Sequence, residues 1–484
     1  MDALEHWDML IIGAGLSGIG AAVHVQKNCP ERRFAILEAR GAIGGTWDLF
    51  RYPGIRSDSD MYTLGYAFKP WLDEQSIAEG GRIRDYIQET ARDYGLLPHI
   101  RFGHKLLRAN WDSGQARWHV ELAVGPEQTL QRMSCNFLHL CAGYFRYDQG
   151  HQPAFKGLAD YRGTLVHAQH WPEGLDYAGK RVVVIGSGAT AVTLVPHLAQ
   201  TAAHVTMVQR SPTFVGALPR VDAFAQRMRA LFSPARAYAI VRRKNIYFNQ
   251  ALYSLAMRWP QLTRRLLGRE VRRVLGEGPY TQRHFNPQYQ PWQQRLCVAP
   301  DGDLFQAIRA GKASVVTEAI ANFTPSGIKL ESGQELQADV VVMATGLQLL
   351  PLGGVQLAVD GKAVALNQTM TYKGAMLTGL PNLFFTIGYS HAAWTLKSDL
   401  VAQYACRLLQ YMQQTGARSA VAVRDAAEPE CAFLDLQSNY VLRHLHEFPQ
   451  QGGRWPWRLT QKYFVDAQGL LRAPIADGHL RFEP

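Results

Sequence analysis

Six cysteines are scattered through 484 residues, at Cys29, Cys135, Cys141, Cys297, Cys406 and Cys431, with no CxxC pair and no cluster at metal-ligand spacing. That scatter argues against a zinc site and against a dithiol–disulfide flavoenzyme, and it fits a reducing cytosol. A basic leader is also missing: Met1 to Asp8 is polar and acidic, which predicts no signal peptide. No apolar run reads as a membrane span. The nearest, Met9 to Val25, is broken by glycines and His24 and predicts a turn and a helix instead. Repeats and low-complexity tracts are absent, and the length leaves room for two to four domains, each with its own core.

What the chain does carry is the same glycine signature twice. In MLIIGAGLSGIGAAVHV, from Met9, an apolar strand runs into Gly13, Gly15 and Gly18. Glycines at this spacing suit a tight turn, a close backbone approach to a pyrophosphate, and close helix–strand packing. The helix that follows aims its first amides and its dipole at the phosphates. The next strand, FAILEAR, ends in Glu38, 20 residues beyond Gly18, where an acid binds ribose hydroxyls. In RVVVIGSGATAVTLVPHLA, Gly186, Gly188 and Ala191 take the same places, but the next strand ends in Arg210 and Ser211. A carboxylate there would repel a 2′-phosphate, whereas an arginine pairs with it bidentately. The first site therefore reads as FAD and the second as NADPH.

The expected fold is α/β, with two Rossmann-like dinucleotide-binding domains and a helical insertion in the second. Residues 1–150 and 375–484 are assigned to the FAD domain, 157–215 and 291–374 to the NADPH domain, and 216–290 to the insertion. The formal net charge of +11 is concentrated there: Arg220 to Arg273 holds 13 Lys or Arg against 2 Asp or Glu, so the rest of the chain sums to zero. Two or three Arg-rich amphipathic helices are expected, and two readings stay open. One is contact with an acidic partner or, peripherally, with an anionic membrane surface, on the inner face for a cytoplasmic protein; the other is a helical subdomain with a solvated basic face. No nucleic-acid-binding module accompanies the charge, so no nucleic-acid partner is expected.

Between the signatures lies YRGTLVHAQHWP, Tyr161 to Pro172. With this connector the chain resembles the class B flavoprotein monooxygenases of the Baeyer–Villiger type, whose fingerprint is FxGxxxHxxxW followed by Pro or Asp. Here it reads Tyr161, Gly163, His167, Trp171 and Pro172, with Tyr for Phe keeping the ring. His167 reads as a domain-hinge residue in preference to a proton donor. GGTWDLFRYPGIRSDSDMYTLGY, PWQQRLCVAPDGDLFQAIRAGK and AWTLKSDLV are similar to the branch of that family that holds the ethionamide-activating and long-chain ketone monooxygenases. The poorest match is the basic insertion.

The resemblance implies FAD contacts from Ser17, Glu38, Thr46, Trp47 and Asp58, with Leu106 toward the adenine end. It implies NADPH contacts from Gly186, Ser187, Gly188, Ala189, Thr190, Ala191, Val192, Arg210 and Ser211. Arg56, Ser57 and Asp58 would stand where NADPH and flavin meet. Arg295 matches the active-site arginine, with Asp58 as its carboxylate partner, and Gln294 replaces a lysine common in relatives, which implies a weaker preference for NADPH over NADH. The resemblance further implies that NADPH reduces FAD, that O₂ adds to the reduced flavin at C4a, and that the resulting peroxide anion attacks a ketone to give an ester. Sulfides or thioamides would be oxidised by the protonated form. A class B enzyme that hydroxylates nitrogen or alkyl groups, and a peripheral membrane flavoprotein with little ketone turnover, remain as alternatives.

Overall fold

The computed structural model describes residues 4–484. β1 (Glu5–Ile12) turns through the first glycine signature into α1 (Leu16–Asn28) and returns in β2 (Phe34–Glu38). The short helices α2 (Thr46–Leu49) and α3 (Met61–Leu64) lead to α4 (Gly80–Asp93) and β3 (Ile100–Phe102). Then β4 (His104–Asp112), β5 (Arg117–Val124) and β6 (Thr129–Leu140) fold back on one another as an antiparallel meander. β6, β1, β2 and β3 lie side by side and parallel, and Leu383–Phe385 adds a parallel pairing to β6.

The chain leaves this domain along β7 (Phe145–Gly150), which pairs antiparallel with Leu347–Leu349. Exit and return therefore run side by side. Beyond the crossing come β8 (Thr164–His167), β9 (Arg181–Ile185), α5 (Ala189–Leu198) and β10 (His204–Gln209). They build a five-stranded parallel sheet in the order Ala313–Thr317, β10, β9, Val340–Met343, β8. Val182, Val183 and Val184 in β9 are all buried, the continuous apolar run needed by a strand covered on both faces. One boundary differs from expectation. Gln356–Val359, assigned above to the second domain, pairs with β4, so the first domain resumes well before residue 375.

The insertion holds four helices: α6 (Ala223–Leu231), α7 (Pro234–Arg258), α8 (Pro260–Leu275) and α9 (Pro279–His284). Asp222 caps α6 by accepting from the Phe224 and Ala225 amides, and the other three each begin on a proline. Proline at a first helical position has its φ already set and lacks only an amide that would be unsatisfied there. Although α7 belongs to the second domain in sequence, it packs on the first, with Tyr238, Val241 and Ile246 joining that domain's core. Arg242 is buried and donates to the carbonyls of Tyr62, Thr63 and Gly65, closing the C-terminus of α3. α8 buries Val271 in the core of the second domain. The insertion thus straddles both domains.

Candidate active site

Both glycine turns have the geometry expected of them. Gly13 adopts φ +106 and Gly186 φ +140; a Cβ would lie 2.9 Å from the Cys141 carbonyl oxygen at the first and 2.2 Å from that of Ala344 at the second. Neither position tolerates a side chain. Gly15 and Gly188 are the N-caps of α1 and α5, and no side chain caps either helix. The first amides of both helices are therefore left for an anion. A Cβ on Gly45 would sit 3.1 Å from Gly15 Cα, so two backbones face each other across the first turn with space for nothing bulkier. Glu38 is buried beside it, and its carboxylate accepts from the Ala14 amide at 2.7 Å and the Arg40 amide at 2.9 Å. Burial pushes its carboxyl pKa up against those two hydrogen bonds. A carboxylate has about four acceptor sites, which leaves room for ribose hydroxyls.

Other expected contacts gather here. Ser17 Oγ accepts from the Trp394 indole at 2.7 Å, Thr46 Oγ1 lies 3.1 Å from the Tyr147 hydroxyl, and Trp47 packs on the first core. Leu106 is buried with Leu37 and Leu122 beside a β-bulge; its side chain supports the sheet. In the second turn, Ser187 Oγ lies 2.9 Å from Thr213 Oγ1 and donates to the Ser211 carbonyl at 3.4 Å. Ala189 and Thr190 occupy the first turn of α5, while Ala191 and Val192 are buried in the core and seat the helix on its sheet. Arg210 and Ser211 are exposed at the end of β10, and among the described residues no carboxylate pairs with Arg210.

The loop from Phe50 to Asp58 joins the two halves. Phe50 and Tyr52 are buried in the second core, and a Cβ on Gly54 would touch His197 of α5 at 3.0 Å. Arg56 pairs with Asp303 at 2.5 and 3.2 Å. Local turn formation falls to its neighbours: Ser57 Oγ accepts from the Ser59 amide at 2.9 Å, and Asp60 caps α3 through the Thr63 amide at 3.0 Å. Asp58 is left to face Arg295. Burial pushes the Asp58 carboxyl up, and the Arg295 and Arg56 cations pull against it.

Arg295 itself is exposed, yet Tyr144, Tyr440, Asp58 and Cys297 surround it. The expected Asp58–Arg295 ion pair is not formed, and among the described residues Arg295 has no hydrogen-bond partner. The two groups share an electrostatic neighbourhood without touching, because Asp58 comes from a first-domain loop and Arg295 from the segment leading into Cys297–Pro300 of the second.

In the connector, Tyr161 donates to the Ala338 carbonyl at 3.0 Å. His167 Nδ1 accepts from the Gln169 amide at 3.2 Å, and Nε2 faces the His151 carbonyl at 3.4 Å. A Cβ on Gly150 would fall 2.0 Å from the His167 ring. The imidazole is thus packed against the crossing strand β7, where the chain passes between the two domains.

Four residues escaped the sequence reading. Trp394 lies in a stretch that carried the resemblance but was not singled out. Tyr144 stands at 5.3 Å from Trp394, ring to ring, linking Ser17 to the surroundings of Arg295. Tyr440, whose buried hydroxyl has no partner among the described residues, and Arg443, whose Nε has none among them, come from a C-terminal stretch without motif or periodicity. Arg443 donates weakly to the Leu347 carbonyl at 3.4 Å, and Arg210 helps to lower its pKa after burial, so a second cation flanks the NADPH-type site.

Two helix starts without a side-chain cap, each behind a tight glycine turn, and a buried acid beside the first suit two dinucleotides. Residues 75–352 match the flavin-binding monooxygenase-like family and residues 11–70 an NAD(P)-binding Rossmann-like domain. The chain is 50% identical over 480 residues to the FAD-containing monooxygenase EthA of Mycobacterium tuberculosis, covering 99% of this chain and 98% of that one. It is 47% identical to a probable FAD-binding monooxygenase, AlmA, of an Acinetobacter species, covering 98% and 96%. An oxidised steroid monooxygenase bound to NADP has the same fold, with a TM-score of 0.73 at 23% identity over 87% of this chain and 88% of that one. The chain belongs to the flavin-binding monooxygenase-like family, and it is a flavin-dependent monooxygenase.

Proposed function

We propose that the protein uses NADPH and O₂, with FAD in the first site, to oxidise ketones to esters in the Baeyer–Villiger manner, with aliphatic or long-chain ketones as the substrate class and sulfides or thioamides as further substrates. The residues present fit both nucleotides. The glycine cradle at Gly15 and Gly45, the α1 amides and Glu38 would hold FAD, and the α5 amides with Arg210 and Ser211 would hold NADPH. FAD, when bound, carries electrons from NADPH to O₂, and this is chemistry no side chain supplies.

The chain's own part is electrostatic. Inserting oxygen next to a carbonyl gathers negative charge on oxygen, and a guanidinium stays protonated throughout while offering fixed donors to that charge. Arg295, without a hydrogen-bond partner among the described residues and in the electrostatic neighbourhood of Asp58 without an ion pair to it, is the observation that carries this reading. Its donors are free for the reaction, and the Asp58 carboxylate balances part of its charge. The test is mass spectrometry of products from the FAD-loaded enzyme with NADPH, O₂ and straight-chain ketones of graded length, plus a phenyl ketone and a thioether. Ester formation that depends on chain length supports the reading; hydroxylated products alone, or NADPH consumption indifferent to every ketone and sulfide, would overturn it.

A further inference from the structure

α7 and α8 meet at Trp259, and the corner between them is apolar and uncovered. Met257, Trp259, Leu262 and Leu266 each leave between 46 and 56% of their surface exposed. Leu262, Arg265, Leu266 and Arg269 fall on one face of α8, because helical positions three and four apart stand side by side; Thr263 and Val271 on the other face are buried. Arg258, Arg265 and Arg269 rim the apolar residues and are exposed. Among the described residues, none of the three forms an ion pair. The acids of this segment are committed elsewhere, Glu270 to Arg273 and Asp222 to Lys244.

Surface apolar side chains scattered singly need no explanation, but four at one corner, ringed by unpaired cations, do. A second copy of the chain fits poorly, since a twofold contact would set these arginines against their own copies. Nor does any helix have the length and hydropathy to cross a bilayer, among the described residues. Apolar and indole side chains at the level of lipid headgroups, flanked by guanidinium groups, suit the surface of an anionic bilayer.

We propose that the α7–α8 corner docks on anionic lipid bilayers, with Trp259, Leu262 and Leu266 entering the headgroup region and Arg258, Arg265 and Arg269 pairing with lipid phosphates. Lipid binding by this face is independent of the reaction proposed above. A consequence that does rest on that reaction concerns substrate entry. Inward on α7, Tyr253 stacks on His391 at 3.7 Å and meets the Trp292 ring edge-on at 6.3 Å, three residues before Arg295. The helix that would touch lipid thus also packs against the segment that carries Arg295, and a ketone dissolved in the bilayer would meet it first.

The experiment is co-sedimentation of the FAD-loaded enzyme with phosphatidylcholine vesicles, with and without phosphatidylglycerol. Binding is expected to need the anionic lipid and to fall steeply with added salt. Arg258→Glu, Arg265→Glu and Arg269→Glu together should weaken partitioning on the order of a hundredfold or more, at about fivefold per charge removed. Trp259→Ser with Leu262→Ser should remove the binding that survives high salt. Quenching of tryptophan fluorescence by lipids brominated on the acyl chain should drop in Trp259→Phe. All these positions are exposed, and retention of FAD reports that each variant folds. No sedimentation with anionic vesicles at low salt overturns the proposal, as does wild-type sedimentation by the triple variant or quenching unchanged in Trp259→Phe. A dimer in lipid-free solution that the same substitutions dissolve would assign the corner to a second copy instead.

Discussion

Removing the Arg295 guanidinium separates the two halves of the proposed reaction. Hydride transfer from NADPH to FAD creates no oxyanion beside Arg295, whereas oxygen insertion does. Losing one preorganised donor to a developing oxyanion costs about 2.7–4 kcal/mol, which is two to three orders of magnitude in turnover. Arg295→Ala is therefore expected to lower ester formation on the order of a hundredfold to a thousandfold while flavin reduction stays near wild type. Asp58→Ala should be milder. Two unit charges 4 Å apart interact by about 4 kcal/mol at an effective dielectric constant of 20; Asp58 forms no ion pair with Arg295, so its effect falls below that limit. Arg295→Lys keeps the charge and loses the planar fork, and should recover only part of the rate. The assay is anaerobic stopped-flow flavin reduction beside ester yield in air. Near-wild-type ester formation by Arg295→Ala would refute the reasoning, and so would equal losses in both half-reactions.

Arg210→Ala should raise the Michaelis constant for NADPH about tenfold and leave that for NADH nearly unchanged. A charge-assisted pair is worth roughly 1.5–3 kcal/mol, and the low end applies because Arg210 is exposed and Arg443 stands near; equal losses for both nucleotides in steady-state kinetics would sink the assignment. Arg242→Ala strips α3 of its cap and leaves the buried Asp399, 3.5 Å from the guanidinium, with the Ala67 amide and His24 as its remaining partners. About 3–5 kcal/mol of stability should be lost in urea denaturation, with Arg242→Lys restoring little. His139 is buried and its pKa is pushed down to about 3. The unfolded chain therefore binds more protons than the folded one below about pH 6.5, and this histidine withdraws stability as pH falls through that range. Unfolding free energies from urea denaturation at pH 7 and 4.5 should converge by about 2–3 kcal/mol in His139→Leu relative to wild type, and an unchanged difference would refute a neutral buried imidazole.

The two nucleotide turns were legible in the sequence because each is a local device. Strand, glycines, helix and strand-end side chain lie within one βαβ unit, and the geometry at Gly13, Gly186, Glu38 and Arg210 follows from short-range sterics and dipoles. Tertiary structure alone decided what comes together around Arg295. Asp58 faces Arg295 only because the Phe50–Asp58 loop wedges between domains, and Tyr440 and Arg443 reach the same region from a stretch with no signal of its own. The insertion shows the division most clearly: its charge density was countable from residue types, but the burial of Arg242 on α3, the packing of α7 on the first domain, and the exposure of Trp259 with its ring of unpaired arginines depend on long-range contacts. Spacing along a chain encodes periodicity and local turns. Which distant surfaces meet is set by how two separate cores pack, and no residue pattern within either one records it.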